Sequence, residues 1–123
     1  MKKKTISVCI ASLTKDNFYK LVQELLKIFQ EYKNVVVYTT LLDKKEQELA
    51  FAALELGIPY YIFIFEDDLQ EYKKFFSSRE WNKFMWLYVR AEKVIKLPKD
   101  KHIKNIFTLQ KKIIKKCDIV LRI

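Results

Sequence analysis

Apolar residues along this chain fall into two alternating patterns: short unbroken β-branched runs, and longer stretches whose apolar positions recur three and four residues apart. Thr5-Ile6-Ser7-Val8-Cys9-Ile10-Ala11 is the first short run and predicts a strand, ended by Ser12-Leu13-Thr14 with Thr14 as N-cap of the next helix. Phe18, Leu21, Val22, Leu25, Leu26 and Phe29 then line one helical face, with Lys20, Gln23, Glu24 and Lys27 on the other. Val35 to Thr39 is a second apolar run, which predicts a central strand covered on both faces. Asp43 and Glu46 form a D-x-x-E capping pattern for a second helix, whose apolar stripe of Leu49, Ala52, Ala53 and Leu56 stops at Gly57.

Tyr60 to Phe65 predicts the third strand. Glu66-Asp67-Asp68 opens a short helix that runs through Phe76, and Ser78 caps a further helix from Arg79 to Tyr88. Lys93 to Leu97 predicts a fourth strand stopped by Pro98. Ile106, Leu109, Ile113 and Ile114 define a last helix, and Ile119 to Ile123 a fifth strand. Strands alternating with helices call for a parallel sheet with right-handed crossovers. The expected architecture is α/β, a three-layer doubly wound Rossmann-like fold with a five-stranded, mostly parallel sheet in the order 3-2-1-4-5. It forms one domain over residues 1–123. A ligand is expected at the carboxyl ends of strands one and four, where winding would reverse.

Composition narrows the classes of function. The longest apolar runs are far shorter than the ~20 residues of a membrane span, and Met1-Lys2-Lys3-Lys4 lacks a following signal-type apolar block, so a soluble cytoplasmic protein is expected. Cys9 and Cys117 show no CxxC spacing and read as buried free thiols. The net charge of +9 suits an anionic partner. The lysines, however, are dispersed over every predicted helix, so nucleic-acid binding is the alternative reading, expected to be weak, unspecific and salt-sensitive.

Several short words carry a family resemblance. Glu48-Leu49-Ala50 with Ala52-Ala53 and Gly57-Ile58-Pro59, then Trp81, Tyr88, Ala91 and Val94, then Lys116-Cys117-Asp118-Ile119-Val120-Leu121 together resemble the SLOG superfamily. That Rossmann-like group includes the YpsA-like proteins and the lysine-decarboxylase-like cytokinin-activating enzymes. The resemblance implies a nucleotide-derived ligand and places the family's early second-helix acid at Glu48. Family members carry glycines after strands one and two, where this chain has Ala11-Ser12-Leu13 and Thr39-Thr40-Leu41-Leu42, and the enzymes' PGGxGTxxE motif has no counterpart. Without those glycines, backbone N–H groups cannot approach a phosphate closely.

The candidate ligand-binding residues are therefore side chains: Ser12, Thr14, Thr39, Thr40, Asp43 and Glu48, with Lys99, Lys101 and His102 arriving after strand four. Thr14 and Asp43 serve equally as helix caps. His102, the only histidine, lies in a lysine-rich loop and reads as solvated. Glu66-Asp67-Asp68 suits a helix first turn better than a cation site. No catalytic set, metal site or cofactor motif is legible. Trp81, Phe84, Trp86 and Tyr88 form either an interface for self-association or a protein partner, or a core against a neighbouring helix. The expected function is a non-catalytic SLOG-like module that binds a nucleotide-derived ligand or acts as a homo-oligomeric or protein-interaction domain. A nucleic-acid-binding protein is the alternative, and a small nucleotide-processing enzyme the third reading.

Overall fold

A computed structural model describes residues 4–15, 17–65, 69–98 and 107–123. Five strands, β1 (Ile6–Ser12), β2 (Val35–Thr39), β3 (Tyr60–Phe65), β4 (Lys93–Leu97) and β5 (Ile119–Arg122), pair in the order β4-β3-β2-β1-β5. Every pairing is parallel, and β2 is the middle strand. The helices between them are α1 (Phe18–Tyr32), α2 (Lys44–Leu56), α3 (Leu69–Lys73), α4 (Ser78–Tyr88) and α5 (Phe107–Lys116). The α/β class, the Rossmann-like layering and the strand positions thus match the pattern of apolar runs.

The strand order differs from 3-2-1-4-5. β4 pairs with β3 rather than with β1, and β5 takes the place beside β1. The physical reason is visible in the strands themselves. The reading from sequence put β4 inside the sheet and β3 at its edge. Lys93 and Lys96 of β4 are exposed, as suits an edge strand, whereas the unbroken apolar run of β3 is buried at five of its six positions. Winding therefore continues in one direction from β1 to β4 and reverses only between β4 and β5.

Right-handed crossovers in one direction put their helices on one face. Val8 and Ile10, Val35 and Val37, and Tyr60, Ile62 and Ile64 turn to that face, where they meet α1, α2, α3 and α4 through Leu21, Leu25, Leu49, Tyr72, Phe84 and Leu87. The intervening residues turn the other way. Cys9, Phe63 and Phe65 meet Leu109 and Ile113 of α5, flanked by Tyr38, Tyr61, Ile95 and Val120. Strand periodicity of two thus divides the apolar residues between one face carrying four helices and one face where, among the described residues, α5 stands alone.

Helix boundaries follow local chemistry, with two corrections. Thr14 does not cap α1; Asn17 occupies the N-cap position and makes no side-chain cap bond. Thr14 instead donates its backbone N–H and its hydroxyl to the carbonyl of Ile123, which ties the loop after β1 to the end of β5. Ser77 rather than Ser78 caps α4, in a complete capping box with Glu80. The expected short acidic opening at residues 66–68 lies outside the described residues, as do Lys99, Lys101 and His102. No described helix is long and apolar enough to cross a membrane.

Gly57 ends α2 in the left-handed region at φ 71°, its N–H bonded to the carbonyl of Leu54. A Cβ there would meet no atom within 4 Å. Backbone conformation alone therefore selects glycine, and Gly57→Ala should destabilise the domain by about 1 kcal/mol, with Gly57→Asn closer to wild type. Urea unfolding of the three proteins measures this. An alanine variant as stable as wild type would contradict the assignment.

Candidate functional site

The turn after β2 contains no glycine, and its own side chains fold it. Leu41 is fully buried with φ 59°, a left-handed conformation that costs a non-glycine residue about 1–3 kcal/mol. Hydrogen bonds from neighbouring groups offset that cost. Thr39 Oγ1 accepts from the Leu41 N–H at 3.1 Å and donates to the Glu46 carbonyl at 3.1 Å. Thr40 Oγ1 accepts from the Leu42 N–H at 3.2 Å, and Gln47 Nε2 donates to the Leu41 carbonyl at 3.0 Å.

Glu46 lies at the centre of this turn. Its carboxyl accepts from the Thr40 N–H at 3.0 Å and from the Thr40 hydroxyl, while Gln110 Nε2 of α5 approaches at 3.4 Å. Asp43, the N-cap of α2, accepts from the Glu46 N–H at 3.1 Å, pairs with Lys45 and accepts from Gln110 at 3.0 Å. The D-x-x-E pattern is thus only half a capping box, because the Glu46 side chain reaches back to Thr40. In a glycine-rich phosphate turn the backbone N–H would point at a phosphate oxygen. Here the N–H of Thr40 points at a carboxyl oxygen of the same chain.

Thr39 and Thr40 are fully buried, and their hydroxyls are committed within the turn. Of the expected ligand contacts, these two hold the turn. Asp43 is half-buried in the same network. Ser12 and Thr14 are exposed, with Thr14 bonded to Ile123.

A cleft of about 370 Å³ opens beside the turn, between the amino ends of α1 and α2. Leu13, Thr14, Lys15, Asn17 and Phe18 line it from the loop after β1 and the start of α1, and Lys44, Lys45 and Glu48 from α2. It stands over the carboxyl ends of β1 and β2, one strand away from the reversal now placed between β1 and β5. Of the residues expected from sequence, Thr14 and Glu48 line it. Lys15, Asn17, Lys44 and Lys45 were not anticipated. Their signal is nonetheless local: α2 opens with two lysines at the positive end of its dipole, and α1 has no acidic residue in its first turn. Across α2, a second cleft of about 350 Å³ is walled by Lys44, Gln47, Phe76, Arg79 and Lys83.

The aromatic run of α4 resolves into core. Phe84 is fully buried, stacked on Trp81 at 5.0 Å and on Tyr88 at 6.0 Å, and both neighbours pack into the same cluster. Trp86 alone of the four is exposed, at 44 %, with Phe51 stacked on it and the Arg90 guanidinium 3.7 Å from its ring centre. Of the two readings open for these four residues, core describes Phe84, and Trp86 is the one that keeps an exposed face.

At the opposite edge of the sheet Asp118 accepts from the backbone N–H and hydroxyl of Ser7 and pairs with Lys4 at 3.3 Å, so its carboxyl is held below the usual range. Cys9 and Cys117 are free thiols. The hydrogen bond with Cys9, then burial, pushes the Cys117 thiol up, which leaves it protonated and unreactive. Among the described residues no three His, Cys, Asp or Glu side chains converge to hold a metal ion. Comparison of the chain with protein-family models, with curated proteins and with solved structures returned no match.

Burial, reinforced by Asp43, pushes the Glu46 carboxyl from 4.5 up to about 8, against the opposing pull of the Thr40 N–H, Gln110 and Lys45. Because the folded state holds this proton more tightly than the unfolded chain, Glu46 supports stability fully below about pH 4.5, and that support is lost as pH rises to about 8. Asp118 and Glu80, both shifted down, titrate below this window and with the opposite sign. Glu46→Gln, a permanently neutral analogue, should flatten the decline and leave the variant more stable than wild type above pH 8. Denaturant unfolding from pH 5 to pH 9 measures it; a wild type whose stability rises through that range would refute the assignment.

Proposed function

We propose that the domain is a non-catalytic, SLOG-like binding module that takes an anionic, nucleotide-derived small molecule in the cleft between the amino ends of α1 and α2. The carrying observation is the placement of charge. Lys15, Lys44 and Lys45 converge on a cleft at the carboxyl edge of the parallel sheet, the edge at which open α/β sheets place their ligands, one strand from the switch point. Lys15 and Lys44 carry no ion pair among the described residues, whereas Lys45 is held by Asp43.

Local stability argues for an anion as well. A cation at a helix amino end is unfavourable by about 0.3–1 kcal/mol; of the two lysines that open α2, Lys45 is offset by Asp43 and Lys44 is not. A bound phosphate would reverse the sign of that term. Rules of local stability are broken most often where function requires it. The lining otherwise supplies the Asn17 amide and the Phe18 ring, groups that orient and cover a ligand, while the Thr14 hydroxyl is already donated to Ile123. Glu48, the position singled out by the SLOG resemblance, faces the same space and suits a ribose hydroxyl.

Calorimetric titration with ADP tests the reading. Lys15→Ala with Lys44→Ala should weaken binding about tenfold or more, since each lysine supplies a charge-assisted contact. Thr39→Val should leave the affinity unchanged even where it lowers the melting temperature. Affinity that survives the double lysine substitution would place the ligand elsewhere.

A further inference from the structure

Two clefts flank the first turn of α2, and Lys44 belongs to both. The first holds Lys15, Lys45 and Phe18; the second holds Arg79, Lys83 and Phe76. Each is close to the smallest volume usual for a ligand pocket, and each pairs cations with one aromatic ring. Two carboxylates, Asp43 and Glu80, also line the second cleft, and its three cations, Lys44, Arg79 and Lys83, outnumber them by one. Glu80 is committed to the Ser77 cap, and Asp43 to Lys45, Gln110 and the α2 amino end. Arg79 has no ion pair among the described residues, and Lys83 reaches only the face of Phe51, 5.2 Å from its centre.

The two halves repeat one chemistry on either side of a shared lysine. We infer that the ligand is a dinucleotide lying across α2, with its linking phosphate at Lys44 and one base–sugar unit in each cleft. The inference rests on the anion-binding reading of the first cleft and extends it to the second. Phe18 and Phe76, each half-buried against the core, place an aromatic ring in the lining of either cleft for a base to cover, and cations on both sides of α2 track the sugar–phosphate chain between them. A mononucleotide fills one half and leaves Arg79 and Lys83 unused.

Two probes of similar charge separate the possibilities: ADP, and a 5′-phosphorylated dinucleotide of two adenosines joined by a phosphodiester. The dinucleotide should bind wild type about tenfold more tightly than ADP, because the second half adds contacts without a second loss of translational freedom. Arg79→Ala with Lys83→Ala should remove that advantage and leave ADP binding unchanged, while Lys44→Ala should weaken both. Melting curves of each variant establish that it is folded. Equal affinity for the two probes, or an advantage that survives loss of Arg79 and Lys83, overturns the dinucleotide; the first cleft then stands or falls on ADP and the Lys15 and Lys44 substitutions. If neither probe binds, both readings fail. Affinity that climbs steadily from dinucleotide to longer oligonucleotides and collapses with salt overturns the small ligand in favour of a nucleic-acid surface.

Discussion

Glu46 ties three parts of the chain together: its carboxyl meets the turn after β2 through Thr40 and α5 through Gln110, and its backbone N–H is donated to Asp43 at the amino end of α2. Protonated and buried, it can satisfy these partners without bringing a full charge into the interior, where an unpaired charge would cost far more than a neutral hydrogen-bonded group. The shape of the carboxyl edge depends on it. With the turn filled from within, the space left for a ligand moves sideways to the cleft between α1 and α2, where the groups on offer are side chains.

Winding direction sets the second constraint. Three successive crossovers in the same sense place α1, α2 and α4 side by side on one face, so the amino ends of these helices line up along one edge. That alignment brings Lys15, Lys44 and Arg79, far apart in sequence, onto one strip of surface. Had β4 paired with β1, α4 and its cations would have lain on the opposite face.

Much of the fold was legible because period and boundary signals agree: β2, β3 and β4 occupy the residues their apolar runs define, and Gly57 and Asp43 act as the cap chemistry requires. Strand order was harder to read, since apolar runs identify strands without naming their neighbours. The lysines of β4 were the available clue to an edge. The site was legible only in part. Thr39 and Thr40 have the right chemistry for ligand contacts, but a one-dimensional reading cannot say that Glu46, six or seven residues on, will claim their polar groups. Gln110 lies beyond any local window. The α4 aromatics were ambiguous because period gives a face and not what covers it.

The position of β5 has a consequence for the order of assembly. β1, β2 and β3 each pair with the strand next in sequence, which requires only short chain closures, whereas β5 must return past three strands to join β1, bringing Asp118 to Ser7 across 111 residues. Synthesis delivers the amino end first. Most of the four-helix face can therefore form before α5 and β5 leave the ribosome; Leu121, with Ile119 and Ile123, then completes its core while α5 closes the second face. In that sequence of events Gln110 reaches Glu46 late, so the turn after β2 is folded by its own side chains first and is tied to the second face of the sheet only by the last helix.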